Sequence, residues 1–359
     1  MDFGLSSEQR MMQETVRALL TKDFPPASVV ESLDEPGAHD PELWTALTEV
    51  GLPGLFIPEA HGGSGFGLLD AALLAEVGGE GVLSGPLLGH QLASFAIMSA
   101  GSTDQQEDWL PQLASGENIG TVAWAEPGDS WEPDGWTVTL QDGRLSGRKV
   151  HVPCAEVADL MVVGVAGGDM ALVDPSQGGV EITAFDGVDR TRRLATVDFE
   201  GAAATPLPPG VAAAPRVRDL GLVLLAADSF GCASRLLHET IDYLSEREQF
   251  GTRLTQFQGI KHELANLAAG LEPARALYWY AGYALDEQAD DAPRAAAIAK
   301  SHISDRAMEI ARACVDLHGA IGYTWEATTH LWYKRIIFNR AFLGGSDHHR
   351  SRAADLADW

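Results

Sequence analysis

Apolar residues recur at three- and four-residue steps in the first and last thirds of the chain, and alternate with polar ones in between. Near the start, Met12, Val16, Leu19 and Leu20 share one face of a helix that Ser6 or Ser7 caps and "DFPP" stops. "DPELWTALTEVG" predicts a second short helix, with Asp40 as cap, Pro41 at its first position and Gly51 past its end. "GLLDAALLAEVGGEG" and "GHQLASFAIMSAG" read as buried helices, and "STDQQEDWLPQLASGE" closes the unit.

The texture changes near Ile119. "NIGTVAWAEP", "WTVTLQDGRLSGRKVHVPC", "DLMVVGVAGGDMALVDP" and "GVEITAFDG" are short alternating or β-branched runs broken by Gly, Asp and Pro, the pattern of a compact β-domain. "AAATPLPPGVAAAP", Ala202 to Pro215, is of low complexity and reads as a linker. From about Val217 the helical period returns in "DLGLVLLAADSFGCASRLLHETIDYLSEREQF". "FQGIKHELANLAAGLEPARALYWYAGYAL" and "APRAAAIAKSHISDRAMEIARACVDLHGAIG" then read as long amphipathic helices. The layout is an α+β multi-domain chain: an N-terminal helical domain over 1–118, a middle β-domain over 119–215 and a C-terminal bundle of four-helix type over 216–359.

A length of 359 residues suits two or three packed units rather than one. No apolar run in the pattern approaches the roughly 20 residues of a membrane span. The start, "MDFGLSSEQR", lacks the basic region and apolar stretch of a signal peptide, so a cytoplasmic protein is expected. Cys154, Cys232 and Cys314 are far apart and odd in number, which fits reduced thiols better than disulfides or a zinc site, and no metal is expected. The net charge of −26 disfavours nucleic acid and anionic membrane as partners, whose phosphates it would repel. A solvated acidic surface accounts for it, and any anionic cofactor would need arginine concentrated locally.

The most specific stretch is "REQFGTRLTQFQGIKHELANL", Arg247 to Leu267. An arginine ending one helix, an aromatic-glycine turn and a glutamine entering the next suit a diphosphate, which a guanidinium grips bidentately while Phe250 offers a flat apolar contact. Taken alone, the same residues also describe a helix-capping turn with a solvated arginine. "FLGGSDHHR", Phe342 to Arg350, poses a different question: acid/base cluster, phosphate loop, or a place where chemistry has been lost.

Five stretches in chain order resemble the acyl-CoA dehydrogenase family: "LTEVGLPGLFIPEAHGGSG", "WLPQLASGENIGTVAWAEP", "LSGRKVHVPCAEVADLMVV", "REQFGTRLTQFQGIKHELA" and "DLHGAIGYTWE". The resemblance implies an N-terminal helical domain, a β-barrel-like middle domain and a C-terminal four-helix bundle, assembled as a dimer of dimers. It implies bound FAD and the removal of two hydrogens from an acyl-CoA thioester, with a glutamate taking the α-proton on the face opposite the flavin. In many members that glutamate lies in a stretch matched here by "FLGGSDHHR", where Gly344 stands in its place. Other members carry it early in the helix before the arginine turn, a position that falls on Gly221. Asp219, two residues away on another helical face, reads better as a capping acid than as a displaced base.

Contacts to the flavin ring are altered as well. Ala125 replaces a threonine expected to hydrogen-bond the ring edge, His151 stands for the tryptophan that packs the ring, and Pro153 for a threonine. The arginine turn is intact, and in this family it reaches across a dimer interface to the ADP half of the neighbour's FAD. The resemblance thus assigns Arg247, Gln249, Phe250, Gly251, Leu254 and Gln258 to a shared cofactor site, with Asp316, Gly319 and Ala320 from "DLHGAIG". Asp316 replaces a usual glutamine and Ala320 a glycine, so a carboxylate lies near the diphosphate. His348 reads as the replacement of a glutamine beside the cofactor rather than as an acid/base group shared with His349. Glu326 has a structural character, and His318 is a packing residue at a helix end.

The pattern resembles the base-less subunit of the heteromeric acyl-CoA dehydrogenases that actinobacteria use on bulky thioesters, notably steroid side chains. This implies a paralogous partner carrying the glutamate, the acyl-CoA in the partner's site, and electron-transfer flavoprotein as acceptor. Two alternatives remain open on the sequence: a scaffold or ligand-binding pseudoenzyme, and a homomeric flavoenzyme with different chemistry.

Overall fold

The computed structural model describes residues 4–128, 130–209 and 213–357. Helix α1 (Ser7–Lys22) starts on a capping box: Gln9 N–H donates to the Ser6 hydroxyl at 3.1 Å, and Ser6 N–H to the Gln9 side chain at 3.0 Å. The proline pair that stops α1 also opens a helix absent from the sequence reading, α2 (Pro26–Ser32). Proline suits a first turn, where its missing N–H would have no partner. In α3 (Pro41–Glu49) the Asp40 carboxylate accepts from the N–H groups of Glu42 and Leu43 at 2.8 and 3.2 Å. Helices α4 (Leu68–Glu80) and α5 (Leu87–Ala100) are buried over most of their length, and α6 (Thr103–Ala114) has a second capping box, Ser102 with Gln105.

The middle of the chain forms two four-stranded sheets. Strands β1 (Gly120–Ala123), β2 (Thr139–Gln141), β3 (Arg144–Pro153), β4 (Leu160–Val165), β5 (Asp169–Val173), β6 (Val180–Phe185), β7 (Leu194–Ala203) and β8 (Thr205–Pro206) run in the orders β1-β4-β5-β8 and β2-β3-β7-β6. Only the β1–β4 pairing is parallel among these described strands. Met161, Val163 and Ala171 from one sheet and Leu145, Val197 and Phe199 from the other share a single buried core. The sequence reading passed over β7, although its burial alternates along the strand as a two-residue period requires. The expected linker is shorter than read, because Ala202 and Ala203 belong to β7 and Thr205–Pro206 to β8. Its residues 210–212 lie outside the described residues.

Helix α7 (Ala213–Glu246) starts and ends about four residues earlier than the sequence pattern suggested and is long and apolar enough to cross a membrane, but its most apolar window is 94% buried within the protein. Strands β9 (Glu248–Gln249) and β10 (Thr252–Arg253) form a small ribbon before α8 (Gln258–Leu271) and α9 (Arg275–Asp286). The sequence suggested one helix from 257 to 285; a 3₁₀ turn, Glu272–Ala274, divides it at Pro273, which has no N–H to continue the ladder. Then come α10 (Ala292–His318), α11 (Thr329–Ala341) and α12 (Ser346–Asp355).

The described residues fall into two compact units, one comprising Met1–Val29, Leu68–Leu83 and Leu222–Trp359, the other Val30–Gly67 and Ser84–Gly221. In the first, α4 packs on α1 and α9, while α10 packs on α9, α11 and α12. The approach of α4 to α7 demands glycine: a Cβ at Gly231 would sit 1.9 Å from the Glu76 carbonyl oxygen, and one at Gly79 2.1 Å from that of Asp228. Buried Asp228 accepts from Arg335 at 3.1 Å and Asn339 at 2.6 Å, and Arg335 also donates to the Leu83 carbonyl at 2.8 Å. In the second unit α5 packs on β1 and α6.

Candidate functional site

The residues assigned to a shared cofactor gather at one end of the C-terminal helices. Arg247 follows α7 directly, its N–H bonded to the Tyr243 carbonyl and its carbonyl accepting from Leu254 N–H, both at 2.9 Å. Phe250 and Gly251 form the two-residue turn between β9 and β10, both left-handed, with φ of 56° and 80°. A hairpin turn of this kind needs positive φ at both positions, which glycine accepts freely and phenylalanine at a cost. The turn projects Phe250 into solvent, 91% exposed, with its ring 6.3 Å from the edge-on ring of Phe257. Gln249 is exposed and donates to the Glu248 carbonyl.

Among the described residues the Arg247 guanidinium makes no hydrogen bond or ion pair, and it is exposed. Gln258 is the first residue of α8, whose cap residue Phe257 provides no side-chain bond and whose first turn holds no acid. The first N–H groups of that helix are thus left to an outside acceptor, and the helix dipole favours a negative one. Leu254 opens the short 3₁₀ turn between the ribbon and α8.

Asp316, Gly319 and Ala320 lie at the end of α10 and just past it, all exposed. The Asp316 carboxylate accepts from the Tyr323 hydroxyl at 2.7 Å, so the acid that the sequence set near a diphosphate has a partner. That bond is the main reason the Tyr323 hydroxyl titrates above its usual range. Asp316 and Tyr323 line a cleft of about 470 Å3 with Arg312, His330 and Tyr333. Burial, helped by Lys334, holds His330 down to about 4, and its Nδ1 makes no hydrogen bond among the described residues. His318 ends α10 by stacking on Tyr243, as a packing residue does. Glu326 is exposed.

The two positions at which the resemblance sets a base carry no carboxylate here and differ in setting. Gly221 is buried within α7. Gly344 lies in the turn between α11 and α12 at φ +99°, after Leu343 at φ +60°. A Cβ there would meet His348 Cδ2 at 3.0 Å and His349 Nε2 at 3.1 Å. "FLGGSDHHR" is thus a helix end, a left-handed turn and a helix start, with His348 outside and His349 fully buried against the Leu343 carbonyl at 2.8 Å. Burial, then the neighbouring Lys300, push His349 down to about 3, which leaves it neutral at pH 7. Asp219 does not cap α7, which starts six residues earlier; it is buried and accepts from Arg218 Nε at 3.1 Å.

In the second unit, Ala125 is buried and its carbonyl accepts from Val150 N–H at 2.9 Å. Between Lys149 and Val152 the β3–β7 register shifts, so Val150 and His151 together oppose one residue of β7. Such a bulge re-aims a side chain, and His151 sits in it at φ +55°. Its ring stacks on Trp131 at 5.7 Å with 17° between planes, and meets Phe185 edge-on at 5.8 Å. Pro153 is buried at the end of β3.

Sequence reasoning missed the ion pair beneath these residues. Lys149 Nζ lies 2.8 Å from Glu126 Oε1, both fully buried, and 4.7 Å from the centre of the Trp136 ring. Burial pushes the Glu126 carboxyl up, but bonds from Lys149, Thr137 and the Val138 N–H outweigh it, so it titrates below its usual range. The signal was a charged residue amid apolar ones in "VAWAEP" and again in "RKVHV".

The family description "Acyl-CoA dehydrogenase, N-terminal domain" matches residues 6–117, and "Acyl-CoA dehydrogenase, C-terminal domain" matches residues 215–356. The chain is 33% identical over 329 residues to acyl-CoA dehydrogenase IpdE2 of Mycobacterium tuberculosis, covering 91% of this chain and 90% of that protein. It resembles a solved chain of a steroid acyl-CoA dehydrogenase named for two components, Tcur3481 and Tcur3483, at a TM-score of 0.91 and 30% identity, covering 97% of each. A chain of the ChsE4-ChsE5 complex from Mycobacterium tuberculosis has the same fold, at a TM-score of 0.88 and 24% identity over 99% of this chain and 98% of that one.

Proposed function

The chain belongs to the acyl-CoA dehydrogenase family, and from that premise we propose that it is the subunit without the catalytic glutamate in a heteromeric, cytoplasmic α,β-dehydrogenase. Its partner is a paralogous chain that carries the glutamate and the acyl-CoA. The observation that carries this reading is the turn at Gly344: a left-handed backbone whose Cβ position is crowded by two imidazoles, matched by a second glycine at Gly221. A reaction that needs a carboxylate opposite the flavin has none at either place.

Whether these residues fit FAD depends on which end is considered. At the Arg247 end they do. An unpaired exposed guanidinium, an uncapped α8 N-terminus and an exposed aromatic turn suit a diphosphate and the flat group beside it. Arg247 would grip the diphosphate, Gln258 and the α8 N–H groups would complete its hydrogen bonds, and Phe250 would pack on the flat group beside it. Leu254, Gln249, Gly251, Gly319 and Ala320 would shape the surface, while Asp316 stays turned to Tyr323. FAD, when bound, supplies the two-electron acceptor for oxidation of the Cα–Cβ bond. This chain's part is to hold the cofactor of the neighbouring chain against solvent and fix its position. Electron-transfer flavoprotein would drain the complex.

The similarity to the Tcur3481–Tcur3483 steroid enzyme, at 30% identity over nearly the whole chain, supports a bulky steroid side-chain thioester as substrate and a two-component assembly. The test is co-expression with a glutamate-bearing paralogue. The pair should co-purify yellow and reduce an electron-acceptor dye, while this chain alone carries little FAD and has no turnover. Stoichiometric flavin with turnover from the pure single chain would overturn the reading.

A further inference from the structure

We infer that Trp131 closes the chain's own flavin-ring surface by stacking on His151. The closure does not rest on the heteromer reading above. His151 stands where the resemblance sets the aromatic residue that packs the ring, and an indole already stacks, offset, on one of its faces. Phe185 meets the same imidazole edge-on. A planar ligand packing on that face of the imidazole would have to displace Trp131.

The stack is held from both ends. On one side, Glu126 and Ser130 exchange backbone hydrogen bonds at 3.1 and 3.3 Å, closing the loop just before Trp131. On the other, Glu132 forms an ion pair with the mostly buried Arg218, which also holds Asp219 at 3.1 Å, and Pro133 is buried. His151 is fixed by the bulge and its left-handed backbone. Ala125, moreover, brings no side-chain donor to the place where a ring edge would need one.

The probe is lumiflavin, an isoalloxazine without a diphosphate, titrated into the full chain by fluorescence quenching. Trp131→Ala should bind it at least tenfold more tightly than wild type. Glu132→Gln, which loosens the loop and keeps the indole, should give a smaller rise and decides the matter if Trp131→Ala does not fold. Equal affinity in wild type and in the folded variant would sink the closure, with no partner chain involved.

Discussion

Tyr243 of α7 and His318 of α10 lie face to face, ring centroids 4.6 Å apart and planes 14° from parallel. The imidazole is fixed by its Nδ1 against the Cys314 carbonyl at 2.8 Å, and the tyrosine hydroxyl reaches the His318 carbonyl at 3.4 Å. Arg247 is one helical turn beyond Tyr243, and Asp316 and Gly319 flank His318, so this stack ties together the two segments proposed to hold the cofactor.

If the stack sets that geometry, Tyr243→Ala should cost about 1 kcal/mol beyond the lost burial and loosen flavin retention in the heteromer. Tyr243→Phe keeps the ring and should restore both. Urea midpoints and flavin loss on dialysis measure the two effects, and flavin retention unmoved by Tyr243→Ala would separate the stack from the site.

Arg247→Ala should weaken FAD retention in the proposed heteromer, although the proposal sets the catalytic base in the other chain. A charged bidentate contact to a diphosphate is worth roughly 1.5–3 kcal/mol, about one to two decades of affinity. Arg247→Lys keeps the charge without the fork and should fall between. Unchanged flavin affinity in an assembled Arg247→Ala complex would favour a scaffold role.

The buried pair Glu126–Lys149 allows a sharper stability test. Lys149→Ala leaves a buried carboxylate without its cation and should cost roughly 3–5 kcal/mol. The double variant with Glu126→Ala should cost less than the sum of the single changes, because neither charge is then left alone. Denaturant midpoints of the four proteins give the coupling directly.

Much of this was legible in the sequence. Ser6 or Ser7 before an apolar period and Asp40 before Pro41 announced two helix starts, and caps form at Ser6 and Asp40. The α2 helix was lost because prolines that end one helix also begin another, and only the backbone tells which. The break at Pro273 was hidden by an apolar period that runs on through Glu272–Ala274. Asp219 looked like a cap because the start of α7 at Ala213 lies in a stretch too uniform to show a boundary. The Trp131–His151 stack was beyond reading, since it depends on a bulge that adds one residue to β3 and leaves no mark in its periodicity.

Acid should destabilise the protein through His349. Its pKa falls from the usual 6.5 to about 3 in the fold, by burial first, then Lys300, with His348 and Arg352 adding to it. Between pH 6.5 and about 3 the unfolded chain takes up a proton that the native imidazole refuses, so stability drops as pH falls, by up to about 1.4 kcal/mol per pH unit. His349→Gln retains a donor for the Leu343 carbonyl and cannot titrate, so its stability should vary less across that window. Chemical denaturation at several pH values checks the slope, and parallel curves for the two proteins would remove His349 as the source.

Gly344→Glu asks whether the missing carboxylate alone explains a silent site. At φ +99° any side chain strains the backbone, and the new Cβ would press on His348 and His349 at 3.0 and 3.1 Å. The strain should cost about 1–3 kcal/mol, and an unpaired carboxylate in a partly apolar turn adds a desolvation penalty. Even a folded variant should gain no chemistry. Proton removal counts only when the flavin lies opposite and the thioester carbonyl is held, and Ala125, Pro153 and the Trp131-covered His151 are all unchanged. The assay is single-turnover bleaching of the flavin in a heteromer whose partner glutamate has been changed to alanine. Bleaching that appears with Gly344→Glu would mean that this chain's own pocket holds a working flavin and lacked only its base, and the reading of a silent flavin site would fall together with the Trp131 closure.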